Sequence, residues 1–476
     1  MAELSGAEES RTHVPAELLR AIEKPGGFSL LLKGRPGVGK TSLALELLRA
    51  VGGEGIYLST RVSPKALYTH FPWLEECIEP INIIDTSKIY VPTDYTVYTS
   101  AMTGTMTFPE VLARRISEMG EGVTVVIDSW DAIKLQCEPV EMARLEALVT
   151  ELVRERNINL ILTGETMDVT TLDYLVDGIV VFNDIMIEYR RVREIYMSKL
   201  RRTRIDQPKY PFTLLDGRFQ IFNPFGIKSI PPTGPTKVKP IPDKGNFVSS
   251  GSEDLDKILG GGFRRGSFNV FEVGDDISGW GYQAIVGVTF INAIQNDHPV
   301  VALPCCGRNE ARWRKVLGPF VDEDKYRKNL TVFEIHPEGA EPRENMVPLK
   351  GNSIKDDLRT IREHKISKES PVIGFIGADM LEFPYRLKEI GELSTGIKEI
   401  SVNIETTKER GNVDIVRVTP NLAIRDELVD MASKYLKLTT LDRTVVLYGI
   451  KPETWIYNVD TVFVDGSPTL KLTPYV

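Results

Sequence analysis

The stretch Gly34-Arg35-Pro36-Gly37-Val38-Gly39-Lys40-Thr41 constrains this chain more than any other, because it satisfies G-x-x-x-x-G-K-[ST] at every fixed position. Such a stretch works only between a buried strand and a helix. Both flanks comply: Phe28, Leu30, Leu31 and Leu32 form an apolar run suited to a strand covered on both faces, and Leu43, Leu45, Leu47 and Leu48 suit a helix packed against it. The glycines let the backbone turn its N–H groups around an anion, and the helix directs its positive end at the same point. Gly34, Arg35, Pro36, Gly37, Val38, Gly39, Lys40, Thr41 and Ser42 therefore read as a nucleotide-phosphate cradle. Lys40 is expected on the β- and γ-phosphates and the Thr41 hydroxyl on a metal ion, so the expected ligands are ATP and Mg²⁺.

At 476 residues the chain exceeds one ordinary core, and two large domains are expected. A hydrophobic content of 42% with 26% charged residues describes a globular protein. No apolar run approaches the roughly 18 residues that span a bilayer, and MAELSGAEES lacks the basic and apolar regions of a signal peptide, so a cytoplasmic protein is expected. Cys77, Cys137, Cys305 and Cys306 show no C-x-x-C spacing and the five histidines are scattered, which argues against zinc and disulfides. A net charge of −8 argues against a surface that coats nucleic acid, leaving a local strip from Arg190 to Arg204 as a candidate for such contact.

Onward from the cradle, Gly55 to Thr60 reads as a strand, Arg61-Val62-Ser63-Pro64 as a turn into a helix, and Ile81 to Ile84 as a third strand ending at Asp85. Val91 to Thr107 has no period and reads as loop. Val123-Thr124-Val125-Val126-Ile127-Asp128-Ser129 then delivers one carboxylate at the end of a β-branched run. A buried parallel strand places its C-terminal residue at the ligand crevice, so Asp128 is expected to hold Mg²⁺ opposite Thr41. A helix from about Pro139 to Arg156 and a strand Leu160 to Thr163, with Gly164-Glu165 at its tip, complete an alternating α/β pattern.

These pieces, together with Val176-Asp177-Gly178-Ile179-Val180-Val181, Lys199-Leu200-Arg201-Arg202-Thr203-Arg204 and Tyr210-Pro211-Phe212, resemble the KaiC and RadA branch of RecA-fold ATPases over nearly all of residues 28–222. Ser59-Thr60-Arg61-Val62-Ser63-Pro64 and Phe71-Pro72-Trp73-Leu74 look more specifically like archaeal gas-vesicle regulator D proteins. In that branch the Lys and Arg of a K-x-R strand reach the γ-phosphate of the neighbouring subunit. The match assigns those roles to Lys199 and Arg201 and implies a homo-oligomer, with a hexamer as the expected form. One departure matters: the branch carries two glutamates at the tip of the second strand, one of which activates water, and here Thr60 and Arg61 stand there. Asp131 and Glu165 are the substitutes the sequence offers, so Glu165 joins Lys40, Asp128, Lys199 and Arg201 as a catalytic candidate.

Between Asn223 and Asn246, Pro224, Pro231, Pro232, Pro235, Pro240 and Pro242 interrupt any hydrophobic period, marking a linker over 223–246 between a domain at 1–222 and another at 247–476. Beyond it, Ser249-Ser250-Gly251 through Gly260-Gly261-Gly262-Phe263 resembles the lead-in of KaiC-like domains. The expected architecture is α/β: two tandem RecA-like P-loop domains, each a mostly parallel sheet flanked by helices. The second copy is expected to have lost its nucleotide chemistry. In Gly274-Asp275-Asp276-Ile277-Ser278-Gly279-Trp280-Gly281, aligning the glycines puts Trp280 at the Lys position and Gly281 at the Thr position, and Val372 to Asp379 takes the metal-strand position. These features imply a regulatory or assembly ATPase with slow or partner-dependent hydrolysis and a protein partner. The competing readings are a non-hydrolysing ATP sensor and a RadA-like nucleic-acid ATPase.

Overall fold

The computed structural model describes residues 11–52, 55–76, 78–79, 82–85, 108–119, 122–135, 139–226, 236–305, 309–336, 341–387 and 390–476. The loop expected over Val91–Thr107, and Cys77, Cys137 and Cys306, lie outside the described residues; Cys305 is a buried, unbridged thiol. The chain divides into two compact units, Met1–Asn223 with Tyr475–Val476, and Pro224–Pro474.

The first unit is built on nine strands: β1 (Phe28–Lys33), β2 (Gly55–Ser59), β3 (Ile83–Asp85), β4 (Thr124–Asp128), β5 (Asn159–Gly164), β6 (Gly178–Ile187), β7 (Arg190–Leu200), β8 (Lys209–Thr213) and β9 (Gln220–Ile221). They run in the order β3-β2-β4-β5-β1-β6-β7-β8-β9. The ladders from β3 to β6 are parallel, and those from β6 to β9 antiparallel. Every residue of β1 and β5 is buried, as a strand covered on both faces requires. Leu30 and Leu32 pack under helix α1 (Lys40–Val51), whereas Leu31 joins the opposite core with Leu160 and Leu162. Strand β1 sits centrally, so the Gly-rich loop that leaves its end opens over the middle of the sheet's carboxyl edge, where ligands bind in such sheets.

The second unit repeats this order. Its small ladder β10 (Phe247–Val248) and β11 (Phe263–Arg264) precedes a ten-stranded sheet of β12 (Ser267–Val273), β13 (Val300–Leu303), β14 (Leu330–Ile335), β15 (Met346–Leu349), β16 (Ile373–Gly377), β17 (Val413–Val418), β18 (Lys434–Leu441), β19 (Thr444–Lys451), β20 (Glu453–Val464) and β21 (Ser467–Pro474). The order β15-β14-β13-β16-β17-β12-β18-β19-β20-β21 places β12, β13, β16, β17 and β18 where β1, β2, β4, β5 and β6 stand in the first sheet. Both units are thus α/β with mostly parallel central sheets, the tandem RecA-like arrangement. The segment 236–246 packs on the second unit: Val238 donates its N–H to Phe320 O at 3.1 Å, and Asn292 Oδ1 accepts from Ile241 N at 2.8 Å. No helix among the described residues is long and apolar enough to cross a membrane.

Candidate nucleotide site

The loop between β1 and α1 has the geometry its glycines require. Gly39, immediately before α1, adopts φ 109°, a region other residues avoid. At Gly34 a Cβ would stand 2.8 Å from the Phe182 Cβ and 2.9 Å from Val38 Cγ2, so only glycine lets the chain leave β1 here. Lys40 is buried and curls over the loop, donating to Gly34 O at 2.6 Å and Arg35 O at 2.9 Å. Burial lowers its pKa, while the carboxylates of Glu165, Asp128 and Asp131 pull the other way. A lysine desolvated beside backbone carbonyls gains charge compensation when phosphate enters the loop.

Thr41 and Asp128 meet, with the Thr41 hydroxyl 2.7 Å from Asp128 Oδ2. Strand order makes this possible, since β4 lies two strands from β1 and ends level with the loop. Two further donors aim at the same carboxylate: Tyr57 OH at 2.6 Å on Oδ2, and Thr163 Oγ1 at 2.5 Å on Oδ1. Burial first, and the Asp128 charge second, push the Tyr57 pKa far up, so its phenol remains a donor. Sequence reasoning missed Tyr57 and Thr163. Tyr57 lies on β2 and Thr163 on β5, and only the flanking of β4 by both brings them to Asp128.

Neither candidate water-activating carboxylate stands free. Glu165 Oε1 accepts from Arg61 Nη1 at 2.6 Å. Asp131 binds the tip that carries Glu165, accepting from the Glu165 and Thr166 amides and from Thr166 Oγ1 at 3.0 Å. Lys199 and Arg201 are not brought to the loop of their own unit. Lys199 is paired with Ile179, itself beside Leu31, and Arg201 N donates to Asp177 O at the start of β6. Their side chains engage the end of helix α2 (Thr171–Leu175): Lys199 Nζ lies 2.7 Å from Asp173 O, and Arg201 Nη2 3.3 Å from Tyr174 O. The strip around them is spread out and locally engaged. Arg191 holds Asp184 through two bonds of 2.9 and 2.8 Å, Arg202 donates to Pro25 O and Gly26 O, and Arg204 lies 3.4 Å from Asp206.

In the second unit the expected register shifts by one residue. Lys33 faces the core opposite α1 and pairs with Asp173 of α2 at 2.8 Å. Glu272 takes that place in β12, pairing at 2.5 Å with Arg425, the first residue of a helix (Arg425–Met431) that follows β17 as α2 follows β5. Phe271 and Val273 meanwhile face helix α3 (Gly279–Gln295), as Leu30 and Leu32 face α1. Aligning Gly274 with Gly34 would instead turn Glu272 into that apolar core, because strand side chains alternate. Glu272 therefore corresponds to Lys33, and since both helices begin seven positions later (40 − 33 and 279 − 272), Gly279 stands for Lys40 and Trp280 for Thr41.

The ladders carry the same correspondence across the sheet. Lys33 pairs with Gly164 and Glu272 with Val418, so Arg417 takes the place of Thr163, and Gly377, paired with Arg417, that of Asp128. Asp379 lies beyond the strand in a short helix (Asp379–Glu382), 3.8 Å from Arg417. The loop carboxylates have local donors: Asp275 accepts from Asn421 at 2.7 Å and Asp276 from Thr440 N at 2.8 Å. Burial would raise the Asp276 pKa, but the Thr440 bonds outweigh it and keep the group charged.

Residues 19–198 match the model of the family described as GvpD gas vesicle protein, P-loop domain. That match spans the segments 59–64 and 71–74 that pointed to it. The chain is 24% identical over 496 residues to Protein GvpD2 of Halobacterium salinarum, spanning 99% of this chain and 98% of the relative. It is 28% identical over 304 residues to Protein GvpD1 of the same organism, spanning 61% and 56% of the two chains. A circadian clock oscillator protein KaiC, from Parathermosynechococcus lividus, is 27% identical over 288 residues, 56% of this chain and 50% of that one. The resemblance to KaiC-like RecA-fold ATPases and to the gas-vesicle D proteins is thereby borne out.

Proposed function

We propose that the chain is a nucleotide-dependent regulatory or assembly ATPase of the cytoplasm that binds Mg-ATP in its first unit only. The observation that carries this reading is the convergence of Lys40, Thr41 and Asp128 around a loop that only glycine can shape. Those residues fit the ligand: the loop backbone and Lys40 suit a triphosphate, and the Thr41 and Asp128 oxygens suit Mg²⁺, which would neutralise charge on the β- and γ-phosphate oxygens. The second unit, with Gly279, Trp280 and Gly377 at the corresponding positions, serves as scaffold and partner surface. Lys199 and Arg201 sit away from their own loop, and Arg201 is half exposed, which suits a role toward the γ-phosphate of a neighbouring copy in a hexameric homo-oligomer.

The test is calorimetric titration of the purified chain with Mg-ATP, alongside phosphate release and light scattering, for the native protein and Lys40→Ala. Binding of one nucleotide per chain that Lys40→Ala weakens by about tenfold or more, with larger assemblies in Mg-ATP, is the expected result. Two nucleotides per chain, or binding indifferent to Lys40, sinks the reading. A second reading, a non-hydrolysing ATP sensor, draws on the engagement of Glu165 by Arg61 and of Asp131 by the 165–166 backbone; tight binding without turnover selects it.

A further inference from the structure

Arg61 stands just beyond β2, at the strand tip where KaiC-like ATPases are expected to carry a glutamate, and its guanidinium reaches over β4 to a carboxylate on the far side. The tips of β2, β4 and β5 are neighbours, with Asp128 in the middle. Arg61 leaves from the first and Glu165 from the third, and their 2.6 Å contact bridges the edge on which Thr41, Asp128 and Lys40 converge. After burial, the Glu165 carboxylate has the strongest influence on the Lys40 ammonium and Arg61 acts on it as well, so the pair lies within electrostatic reach of the place where Lys40 would meet a γ-phosphate. The Glu165 end is held rigidly, because Asp131 ties the backbone of 165 and 166 in place. The Arg61 end is a long side chain, half exposed to solvent.

We propose that the Arg61–Glu165 pair is a γ-phosphate-operated latch, in which Arg61 exchanges Glu165 for the γ-phosphate of bound ATP and thereby frees Glu165 to receive the proton of the attacking water. The inference rests on Mg-ATP occupying the first unit. An exposed ion pair is weak, whereas guanidinium and phosphate match in a two-pronged geometry, so arrival of a γ-phosphate favours the exchange. ADP lacks that group and leaves the latch closed. Once released, Glu165 remains aimed at the crevice by Asp131. The water oxygen then forms the bond to the γ-phosphorus, the bridging oxygen departs with its electron pair on ADP, and the water proton passes to the Glu165 carboxylate, which returns it to solvent. The residue that displaces the expected glutamate is therefore a regulator of its substitute.

The experiment measures ATP and ADP affinity with Mg²⁺, and phosphate release, for the native chain, Arg61→Ala, Arg61→Lys and Glu165→Gln, with a melting curve for each. Expected are a tenfold or greater loss of ATP affinity in Arg61→Ala with ADP affinity within twofold of native, partial recovery in Arg61→Lys, and loss of turnover in Glu165→Gln without loss of ATP affinity. Equal ATP-to-ADP ratios in native and Arg61→Ala overturn the latch while leaving nucleotide binding intact, and turnover retained in Glu165→Gln overturns the role of the freed carboxylate. Native protein that binds neither nucleotide overturns the reading beneath both. Arg61 and Glu165 lie at strand tips outside the core, so an unaltered melting temperature is expected throughout.

Discussion

The two crevices share a backbone and differ in nearly every chemical position. In the first, Lys40, Thr41, Asp128 and Thr163 stand in mutual contact or reach at the carboxyl edge of the sheet. In the second, Gly279, Trp280, Gly377 and Arg417 hold the corresponding places, yet the strand order around β12 matches that around β1. The folds survive alike because the cores are made by strand interiors and helix faces. The loop residues add little to those cores, so the nucleotide chemistry can be lost without losing the sheet. One buried feature is retained with inverted charge: Lys33–Asp173 in the first unit and Glu272–Arg425 in the second. A buried pair can be reversed but not halved, since one partner alone would be an uncompensated charge.

That pair yields the largest expected effect. Lys33→Ala should destabilise the first unit by about 3 kcal/mol, the low end for breaking an enclosed ion pair, because Asp173 loses its charged partner and keeps only the bonds from Thr170; chemical denaturation followed by a probe in each unit checks it. Unfolding of both units together would break the comparison. The pH dependence sharpens it. Burial alone would raise the Asp173 pKa, but the bonds from Lys33 and Thr170 more than offset this and hold it below its ordinary 3.8. A depressed carboxylate contributes stability above the unfolded value that is lost as pH falls through the folded one. Native stability should therefore drop as pH falls below about 4, and in Lys33→Ala that dependence should flatten.

Lys40→Ala should weaken ATP binding by about tenfold to a hundredfold, the worth of a charge-assisted contact, whereas Trp280→Ala should leave ATP affinity untouched. Gly34→Ala should cost about 1–3 kcal/mol of stability, as the new methyl must push Phe182 and Val38 aside. Val273, at the corresponding place, already carries a side chain buried under α3, so thermal melting of Val273→Ala should show a cavity loss instead of relief. The smallest effect is expected for Tyr57→Phe, which removes one of three hydroxyls on Asp128 and should shift Mg²⁺-dependent ATP affinity by about 1 kcal/mol. An unchanged value would assign Tyr57 to packing alone.

Much of the first unit was legible because motif and period agree. The run Phe28 to Leu32, the glycine loop and the β-branched approach to Asp128 each announce their structure, and β1, α1 and β4 follow. The long hairpin β6–β7 was not legible. Its turn, Glu188-Tyr189, has φ of 44° and 68° at residues that do not advertise a left-handed turn as Asn-Gly would. The second loop misled for a different reason. Glycines invite alignment to glycines, but a strand's alternation overrules them, and Glu272 needs its Arg425.

The sequence alone determined the Gly-rich loop between strand and helix, the aspartate at the end of β4, the two-copy α/β plan and the absence of the expected glutamate, because each depends on residue type within a few positions. The tertiary structure decided the partners: Tyr57 and Thr163 on Asp128, Arg61 on Glu165, and Gly377 in place of a second aspartate. Those contacts join residues far apart in the chain through the lateral order and register of the strands, which are properties of the sheet and not of any one segment.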